Sequence, residues 1–344
     1  MIENLTHFGL EYLIIFIIVF VLSFCGSAFY KSFAIRNRIF SNPNKRSLHQ
    51  ITKPSGGGVV FSLITVIFLF LFGLFEIIKF EHLMILGFGG IIATIFGFVD
   101  DIFDISAFIK LCIQIALSFW VIFWIDLNQF QALSWIPLWC LIPIISFLLV
   151  WTINLFNFVD GIDGLAASGS ILACFSLIIS LVILNDFSYL VIILSILLSS
   201  CLGFLILNWP PSKMFMGDSG SIFLGYFFGA LIIISVSDDS ISLWTWIIIF
   251  SYFFGDTHST IIMRIILTKK WYKPHRSHAY QNLARILDSH LKVTKWILVY
   301  NVIYVFPLVI LSVTLEKWAP VFSVIAILPV FYFSFKYGPK YSID

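Results

Sequence analysis

The sequence predicts an all-α, polytopic membrane protein, and three observations carry this prediction. Of the 344 residues, 60% are hydrophobic and only 11% are charged, and the mean hydropathy is +1.03. This composition excludes a water-soluble globular domain. Uninterrupted apolar runs, such as 58–76, have the length of a spanning helix and are too long and uniform for barrel strands. The third observation is that the positive charges collect in alternate loops.

Eleven apolar runs have the length of a membrane span. They fall at about 10–30, 58–76, 83–99, 108–125, 135–153, 165–184, 189–207, 219–237, 242–261, 296–315 and 320–335. We expect the first run to be a permanent span, because its leader carries no Lys or Arg and no small-residue cleavage site follows. The longest loop, 262–295, is too short for a second domain, so we expect one membrane domain over 1–344.

The Lys and Arg residues divide unequally between the two sides that eleven spans define. Alternate loops, from 31–56 to the tail that begins at 336, hold 18 of the 20 Lys and Arg residues. The other side keeps only Lys79 and Lys317. Because cytoplasmic loops carry the excess of Lys and Arg, we expect the N-terminus outside and the C-terminus in the cytoplasm.

The 18 acidic residues divide evenly between the two sides, but only those on the basic side cluster. There they gather at predicted helix ends: Asp100, Asp101, Asp104, Asp160, Asp163, Asp218 and Asp256. On the other side, acids such as Asp126, Asp186 and Asp238 stand near loop tips, where we expect them to face water. Carboxylates gathered beside many cations indicate an anionic phosphate ligand together with a divalent metal ion.

The stretch 151–165 carries four polar residues at intervals of three: Asn154, Asn157, Asp160 and Asp163. This spacing predicts one polar stripe on a helix end. Carboxylates at the edge of hydrocarbon are costly unless a cation or ligand compensates them. We expect Gly161 and Gly164 to keep the backbone bare for a ligand. The alternative is a polar loop that caps two helices.

Three further positions on the same side carry candidate acids. Asp100 and Asp101 close the third span. Either they cap the helix in solvent, or one of them binds a metal ion or the substrate while the other takes up a proton. Asp218 begins the eighth span, where it is a simple cap or lies at a helix N-terminus that favours a diphosphate. Asp256 lies near His258 and Arg264, and we expect it to form a structural ion pair at the end of the ninth span.

Two basic loops complete the set. The first, 45–58, ends in three glycines and suits either lipid head groups or a nucleotide. The last, 273–281, contains His275, Arg276, His278 and Gln281, whose imidazole, guanidinium and amide groups together suit phosphate or sugar hydroxyl groups. A zinc site at the two histidines is disfavoured, since no Cys or third His lies nearby.

In this order, the motifs resemble those of the polyprenyl-phosphate N-acetylhexosamine-1-phosphate transferases, glycosyltransferase family 4. The matching segments are Asp-Asp at 100–101, Asn-x-x-Asn-x-x-Asp-Gly-Ile-Asp-Gly from 154, Phe-Met-Gly-Asp-Ser-Gly-Ser from 215, and the His-rich last basic loop, 273–281. They cover about residues 40–290. The superfamily includes enzymes that start O-antigen, enterobacterial common antigen and teichoic-acid linkage synthesis, and the phospho-N-acetylmuramoyl-pentapeptide transferase.

The resemblance implies a Mg²⁺-dependent enzyme, with Mn²⁺ as a substitute, that works at the cytoplasmic face of a bacterial inner membrane. It implies transfer of a sugar 1-phosphate from a UDP-N-acetyl sugar to undecaprenyl phosphate, with release of UMP. By motif position, Asp218 is the implied metal ligand, and Asp100, Asp101 and Asp160 are the implied catalytic carboxylates. Substrate contacts are implied for Lys53, Asn157, Asp163, Asn208, Phe215, His275, Arg276 and His278. No nucleic acid partner is expected, and a homodimer is compatible with this reading.

The identity of the sugar stays open at this point. The loop His-Arg-Ser-His-Ala-Tyr-Gln lacks the triple histidine of the peptidoglycan enzyme and differs from that of typical N-acetylglucosamine users. It is similar to an O-antigen branch that accepts 6-deoxy sugars. N-acetylglucosamine, N-acetylfucosamine and N-acetylquinovosamine therefore all remain candidates for the transferred sugar.

Two rival functions are weighed against this one. An ion-coupled secondary transporter would place its carboxylates near the bilayer midplane, whereas these stand at helix ends on one side. A CDP-alcohol phosphotransferase would follow Asp-Gly with Ala-Arg at a fixed spacing, and Asp160-Gly161 and Asp163-Gly164 are not so followed.

Overall fold

The computed structural model describes residues 2–41, 52–130, 136–268 and 276–341 of the chain, and they form a helical bundle. Its α-helices are α1 (Ile2–Arg36), α2 (Gly58–Leu74), α3 (Phe80–Leu83), α4 (Gly89–Phe103), α5 (Ala107–Trp124), α6 (Leu138–Val159), α7 (Leu165–Ile183), α8 (Tyr189–Asn208), α9 (Asp218–Ser237), α10 (Leu243–Ile249), α11 (Ser251–Leu267), α12 (Ala279–Ile286), α13 (His290–Tyr300), α14 (Phe306–Thr314) and α15 (Ala319–Tyr337). The short strands β1 (Phe40–Ser41) and β2 (Lys53–Pro54) pair antiparallel. The predicted helical class is confirmed.

Nine helical segments within the described part of the chain are long and apolar enough to cross a membrane. They are Leu13–Arg36, Phe80–Phe103, Ala107–Trp124, Leu138–Val159, Leu165–Ile183, Tyr189–Asn208, Asp218–Ser237, His290–Thr314 and Glu316–Tyr337. Phe80–Phe103 and His290–Thr314 are continuous through the π-helical turns Met84–Phe88 and Asn301–Val305. The chain is therefore a multi-span membrane protein.

The other two of the eleven predicted spans take a different form. The run 58–76 corresponds to α2, whose 17 residues make a helix of about 26 Å, near the lower limit for a span. The run 242–261 corresponds to α10 and α11, which are separated by a break at Phe250. Eleven spans and the N-terminus-outside orientation stay predictions.

Helix α9 is the centre of the bundle, with 18 of its 20 residues buried, and small residues let its neighbours approach closely. A Cβ on Gly225 of α9 would lie 2.5 Å from the Cα of Ile153, so α6 rests on the α9 backbone. A Cβ on Gly97 would lie 2.3 Å from the carbonyl oxygen of Asp218. These two contacts bring the ends of α4 and α6 to the first turn of α9.

Candidate active site

A polar cavity of about 260 Å³ opens where these helix ends meet α12 and α13. It is lined by Ser41, Ser55, Asp101, Asp160, Gly161, Ile162, Asp163, Asn208, Phe215, Gly217, Asp218, Gln281 and His290. The structure thus brings together carboxylates from three separate sequence motifs, as the sequence predicts. Among the predicted site residues, Asp100 and Asn157 stand just behind the lining, in contact with Asp218 or its partners.

Asp101 holds the first turn of α9. Its Oδ1 accepts the backbone N–H of Asp218 at 2.8 Å, and its Oδ2 accepts that of Ser219 at 3.1 Å. A helix start leaves these N–H groups without an intrahelical partner, so the carboxylate satisfies them. From the sequence, this helix N-terminus is a candidate binding site for a diphosphate. For the N–H groups of Asp218 and Ser219 that expectation is wrong, because they already donate to the Asp101 carboxylate.

Lys110 connects two further carboxylates of the cluster. Its Nζ contacts Asp100 Oδ2 and lies 3.3 Å from Asp218 Oδ2. On its other oxygen, Asp218 accepts a hydrogen bond of 2.9 Å from Asn157 Nδ2. Sequence reasoning did not select Lys110 as a site residue. Its place in the first turn of α5, directly after the Asp100–Asp101 pair, is the signal that could have found it.

Asp160 follows the last residue of α6 and faces the cavity. No hydrogen bond or ion pair from the described residues reaches its carboxylate. Burial, followed by the negative charges of Asp218, Asp101 and Asp163, raises the pKa of Asp160 well above its ordinary value. The cavity therefore has a local excess of negative charge that a bound cation would relieve.

Asp163 lies in the turn after α6 and not on the helix, so the predicted four-residue stripe is wrong at its last member. Its Oδ2 accepts the Ser212 N–H at 2.9 Å and lies 3.6 Å from Lys53 Nζ. Its Oδ1 lies 3.5 Å from His290 Nδ1. Although burial opposes ionisation, the His290, Ser212 and Lys53 contacts lower the pKa of Asp163 to about 2.

Lys53 and Phe215 form one wall of the cavity region. Lys53 Nζ lies 5.1 Å from the centre of the Phe215 ring, within cation–π range, and donates to Ser212 Oγ at 3.1 Å. Phe215 N–H donates to the Pro54 carbonyl at 2.9 Å, and Gly57 N–H donates to the Phe215 carbonyl at 3.0 Å. The first basic loop and the segment before α9 are thereby joined as a single unit that presents an aromatic face and a cation.

Asn208 lines the cavity but uses both ends of its amide to hold two turns. Its Oδ1 accepts the Gly164 N–H at 3.1 Å, and its Nδ2 donates to the Met214 carbonyl at 3.0 Å. Gly164 has a φ of +74°, in the left-handed region that glycine tolerates best. Gly164 therefore makes a turn, and the expectation that it clears space for a ligand is not needed to explain it.

Asp256 fixes the start of α12. Its Oδ2 lies 3.1 Å from His278 Nδ1, and its Oδ1 accepts the Ala279 N–H at 2.9 Å and the Ser334 hydroxyl at 2.8 Å. The expected structural pairing of Asp256 is therefore made with the buried His278, which the folded chain brings to it from the last loop.

The last loop contributes to the cavity through Gln281, the final residue of the basic motif 273–281. Neither Arg276 nor His278 is among the lining residues, whereas Gln281 is, and so is His290 at the start of α13. His275 lies outside the described residues. Gln281 ends the basic motif, whereas His290 follows it and was not predicted. A polar residue on the first turn of α13 was the available signal for His290.

The donor chemistry of the cavity suits a hard divalent cation. In the described part of the chain, no group of three or more His, Cys, Asp or Glu is placed to hold a metal ion alone. Asp160 and Asp218 nevertheless both present carboxylate oxygens to the cavity. Mg²⁺ prefers oxygen donors and is usually held by one or two carboxylates plus water and substrate phosphates. The residues present fit that mode of binding.

Comparison with known proteins points to one family. Residues 83–236, which contain every cavity carboxylate, match the model of glycosyl transferase family 4. The chain is 30% identical over 241 residues to a phospho-N-acetylmuramoyl-pentapeptide-transferase of Streptococcus sanguinis, over 64% of this chain and 72% of that protein. It is 28% identical to a probable undecaprenyl-phosphate N-acetylglucosaminyl 1-phosphate transferase of Bacillus subtilis (76% and 74% covered). It is 26% identical to an undecaprenyl-phosphate alpha-N-acetylglucosaminyl 1-phosphate transferase of Thermotoga maritima (80% and 81% covered).

Proposed function

Because the chain belongs to glycosyl transferase family 4, we propose that it transfers an N-acetylhexosamine 1-phosphate from a UDP-sugar to undecaprenyl phosphate. The observation that carries this proposal is the cavity at the ends of α4, α6 and α9. Its carboxylates outnumber the cations that contact them, and Lys53, Phe215 and Lys110 stand around it. Such a site suits a nucleotide diphosphate bound with a divalent cation.

The reaction is an exchange at phosphorus. A phosphate oxygen of undecaprenyl phosphate forms a bond to the sugar-bearing phosphorus of the UDP-sugar. The bond from that phosphorus to the bridging oxygen breaks, and UMP leaves with this oxygen. Charge is conserved without a net proton transfer when the lipid phosphate enters as a dianion. The bond between sugar carbon and oxygen stays intact, so the anomeric configuration is retained.

The chain's own residues divide the binding task. We assign uridine to the wall formed by Lys53, Phe215 and Asp163. There the Phe215 ring can stack on the uracil base and the Asp163 carboxylate can accept a hydrogen bond from it. Lys110 neutralises part of the phosphate charge next to Asp218. Both carboxylate oxygens of Asp101 accept hydrogen bonds from the α9 backbone, so Asp101 acts by positioning Asp218.

Mg²⁺ would be held by Asp218 and Asp160, with Mn²⁺ as a substitute. When bound, the ion supplies positive charge that offsets the repulsion between phosphate and carboxylate oxygens. The raised pKa of Asp160 supports this assignment, since its cause includes neighbouring carboxylates as well as burial.

A site at helix ends also suits a lipid cosubstrate, whose phosphate lies at the membrane surface. We place the enzyme in a bacterial inner membrane with eleven spans, the N-terminus outside and the active site at the cytoplasmic face, on the grounds of the Lys and Arg distribution. The product would feed O-antigen or another cell-envelope polysaccharide, with N-acetylglucosamine or a 6-deoxy analogue as the sugar. The transporter alternative gains no support, because the carboxylates stand at helix ends.

The test uses purified protein in detergent with undecaprenyl phosphate and Mg²⁺. A panel of UDP-N-acetyl sugars is offered, and UMP release is followed with and without EDTA. We expect release that EDTA abolishes and added Mg²⁺ restores, with one sugar preferred. Folded protein that releases no UMP from any sugar would contradict the proposal.

A further inference from the structure

Gln281 presents an unsatisfied group in the cavity wall. The residue lines the cavity and is only 8% exposed. Its amide hydrogen-bonds the Tyr280 hydroxyl, which in turn donates to the Phe158 carbonyl. Within the described residues, its Oε1 is buried and has no hydrogen-bond partner. Buried polar groups are nearly always paired, so this oxygen calls for a partner that the described residues do not supply.

The surroundings hold Gln281 firmly in this position. A Cβ on Gly161 would lie 2.3 Å from the Tyr280 hydroxyl oxygen and 2.8 Å from Gln281 Nε2, so only glycine allows both side chains to pack there. This corrects the expectation that Gly161 is bare for a ligand, since two side chains of α12 use the space. The start of α12 is fixed in turn by the bond from the Ala279 N–H to Asp256.

The chemistry of the missing partner follows from the atom. An amide oxygen accepts hydrogen bonds and cannot donate them, so the ligand must bring an O–H or N–H group. A UDP-N-acetyl sugar brings such groups at both ends. The uridine end is assigned to the wall where Lys53, Phe215 and Asp163 lie, whereas Gln281 packs on Gly161 and comes from the helix that follows the basic loop.

We propose that Gln281 Oε1 accepts a hydrogen bond from a hydroxyl or acetamido N–H of the N-acetylhexosamine and so contributes to the choice of sugar. This inference rests on the proposed function and deepens it. Gln281 would be a specificity residue for the sugar, with no part in holding uridine or the metal ion.

The test pairs Gln281→Met with Gln114→Met. Methionine keeps the length and volume of glutamine without its acceptor. Gln114 is also buried, but its Oε1 already accepts a 2.8 Å bond from Asn154, and it does not line the cavity. Each protein is assayed for UMP release with UDP-N-acetylglucosamine, with UDP-glucose, which lacks the acetamido group, and with deoxy analogues that lack single hydroxyl groups. The inhibition constant for UMP is measured alongside.

We expect one deletion from the sugar to cost the wild type about tenfold in kcat/KM and to cost Gln281→Met less than about twofold, because the interaction is already lost. Gln114→Met should keep the wild-type pattern, and the inhibition constant for UMP should not change in either variant. Equal costs of every deletion in wild type and Gln281→Met, or weaker UMP binding by Gln281→Met, would overturn the inference. Wild-type protein that releases UMP from no sugar would overturn the proposed function as well.

Discussion

Helix α9 carries a charged cluster at each end, and the two clusters differ in their balance of charge. At the Asp218 end, the carboxylates of Asp100, Asp101, Asp160 and Asp218 converge. Lys110 contacts two of them, Asp100 and Asp218. At the other end, the carboxylate of Asp238 accepts a 2.6 Å hydrogen bond from the Tyr189 hydroxyl and lies 3.6 Å from Lys79 Nζ.

The Asp238 cluster has a structural role. Its partners come from the loop before α3 and from the start of α8, so the carboxylate joins three parts of the chain. The sequence-based expectation that Asp238 faces water is wrong, since its side chain is only 16% exposed. A carboxylate matched by the chain's own partners needs nothing from outside. Among the residues that the structure describes, the Asp218 cluster lacks such a match. This excess of negative charge distinguishes a binding site from a structural contact.

The largest effect is expected from Asp218→Asn. Removing this charge takes away an implied metal ligand and the partner of Lys110, so we expect UMP release to fall by about 10³-fold or more. Membrane insertion and the thermal midpoint in detergent should stay close to those of the wild type. Near-normal turnover would break the distinction between the two ends of α9.

Asp101→Asn should follow, with a loss of at least about 100-fold in UMP release. An amide at this position has one oxygen for the two N–H groups of Asp218 and Ser219, so the first turn of α9 would shift. Unlike Asp218→Asn, this change should also lower the thermal midpoint. A variant that loses turnover at unchanged stability would instead favour a direct role of Asp101 in proton transfer.

A smaller effect concerns the pH dependence of stability at Asp163. Because the contacts with His290, Ser212 and Lys53 lower its pKa from 3.8 to about 2, ionised Asp163 stabilises the folded state above about pH 4. This contribution, about 2 kcal/mol, is lost as the pH falls from about 4 towards 2. Thermal midpoints in detergent should fall across this range in the wild type and change less in Asp163→Asn. Parallel curves for the two proteins would contradict the assignment.

The smallest effect on activity is expected from Asp238→Asn. The amide keeps the shape of the side chain but loses the charge-assisted bonds to Tyr189 and Lys79, so the thermal midpoint should fall by an amount equivalent to about 1–3 kcal/mol. UMP release at a temperature where the protein is folded should stay within about twofold of the wild type. A large loss of turnover would show that the two ends of α9 are coupled.

Most of the fold was predictable because the length and apolarity of a span are local properties. The break at Phe250 and the shortness of α2 were not, since they depend on packing against neighbouring helices. The acidic members of the site were predictable because buried carboxylates are costly and stood out against apolar runs. Lys110 and His290 were missed, because a polar residue near a helix start is ordinary until the fold shows what it faces.

The pairing of residues within the site was the least predictable part. Asp101 was expected to act on the substrate, yet both its oxygens accept hydrogen bonds from the backbone of α9. Asp256 was expected to pair with a cation of its own helix, yet its partner is His278 from the last loop. Both contacts join segments far apart in the chain, and spacing along the sequence does not report such contacts.

Nucleotide-sugar binding to the wild type, Asp218→Asn and Asp238→Asn tests most directly whether the Asp218 end of α9 holds a cation. Affinity for UDP-N-acetylglucosamine, or for the sugar preferred in the UMP-release panel, is measured by calorimetry in detergent, with Mg²⁺ and with EDTA. We predict that Mg²⁺ tightens binding to the wild type and to Asp238→Asn by at least about tenfold, and that Asp218→Asn shows no such gain. The same Mg²⁺ dependence in all three proteins, or none in the wild type, would contradict the claim that the excess carboxylates at the Asp218 end hold a cation with the substrate.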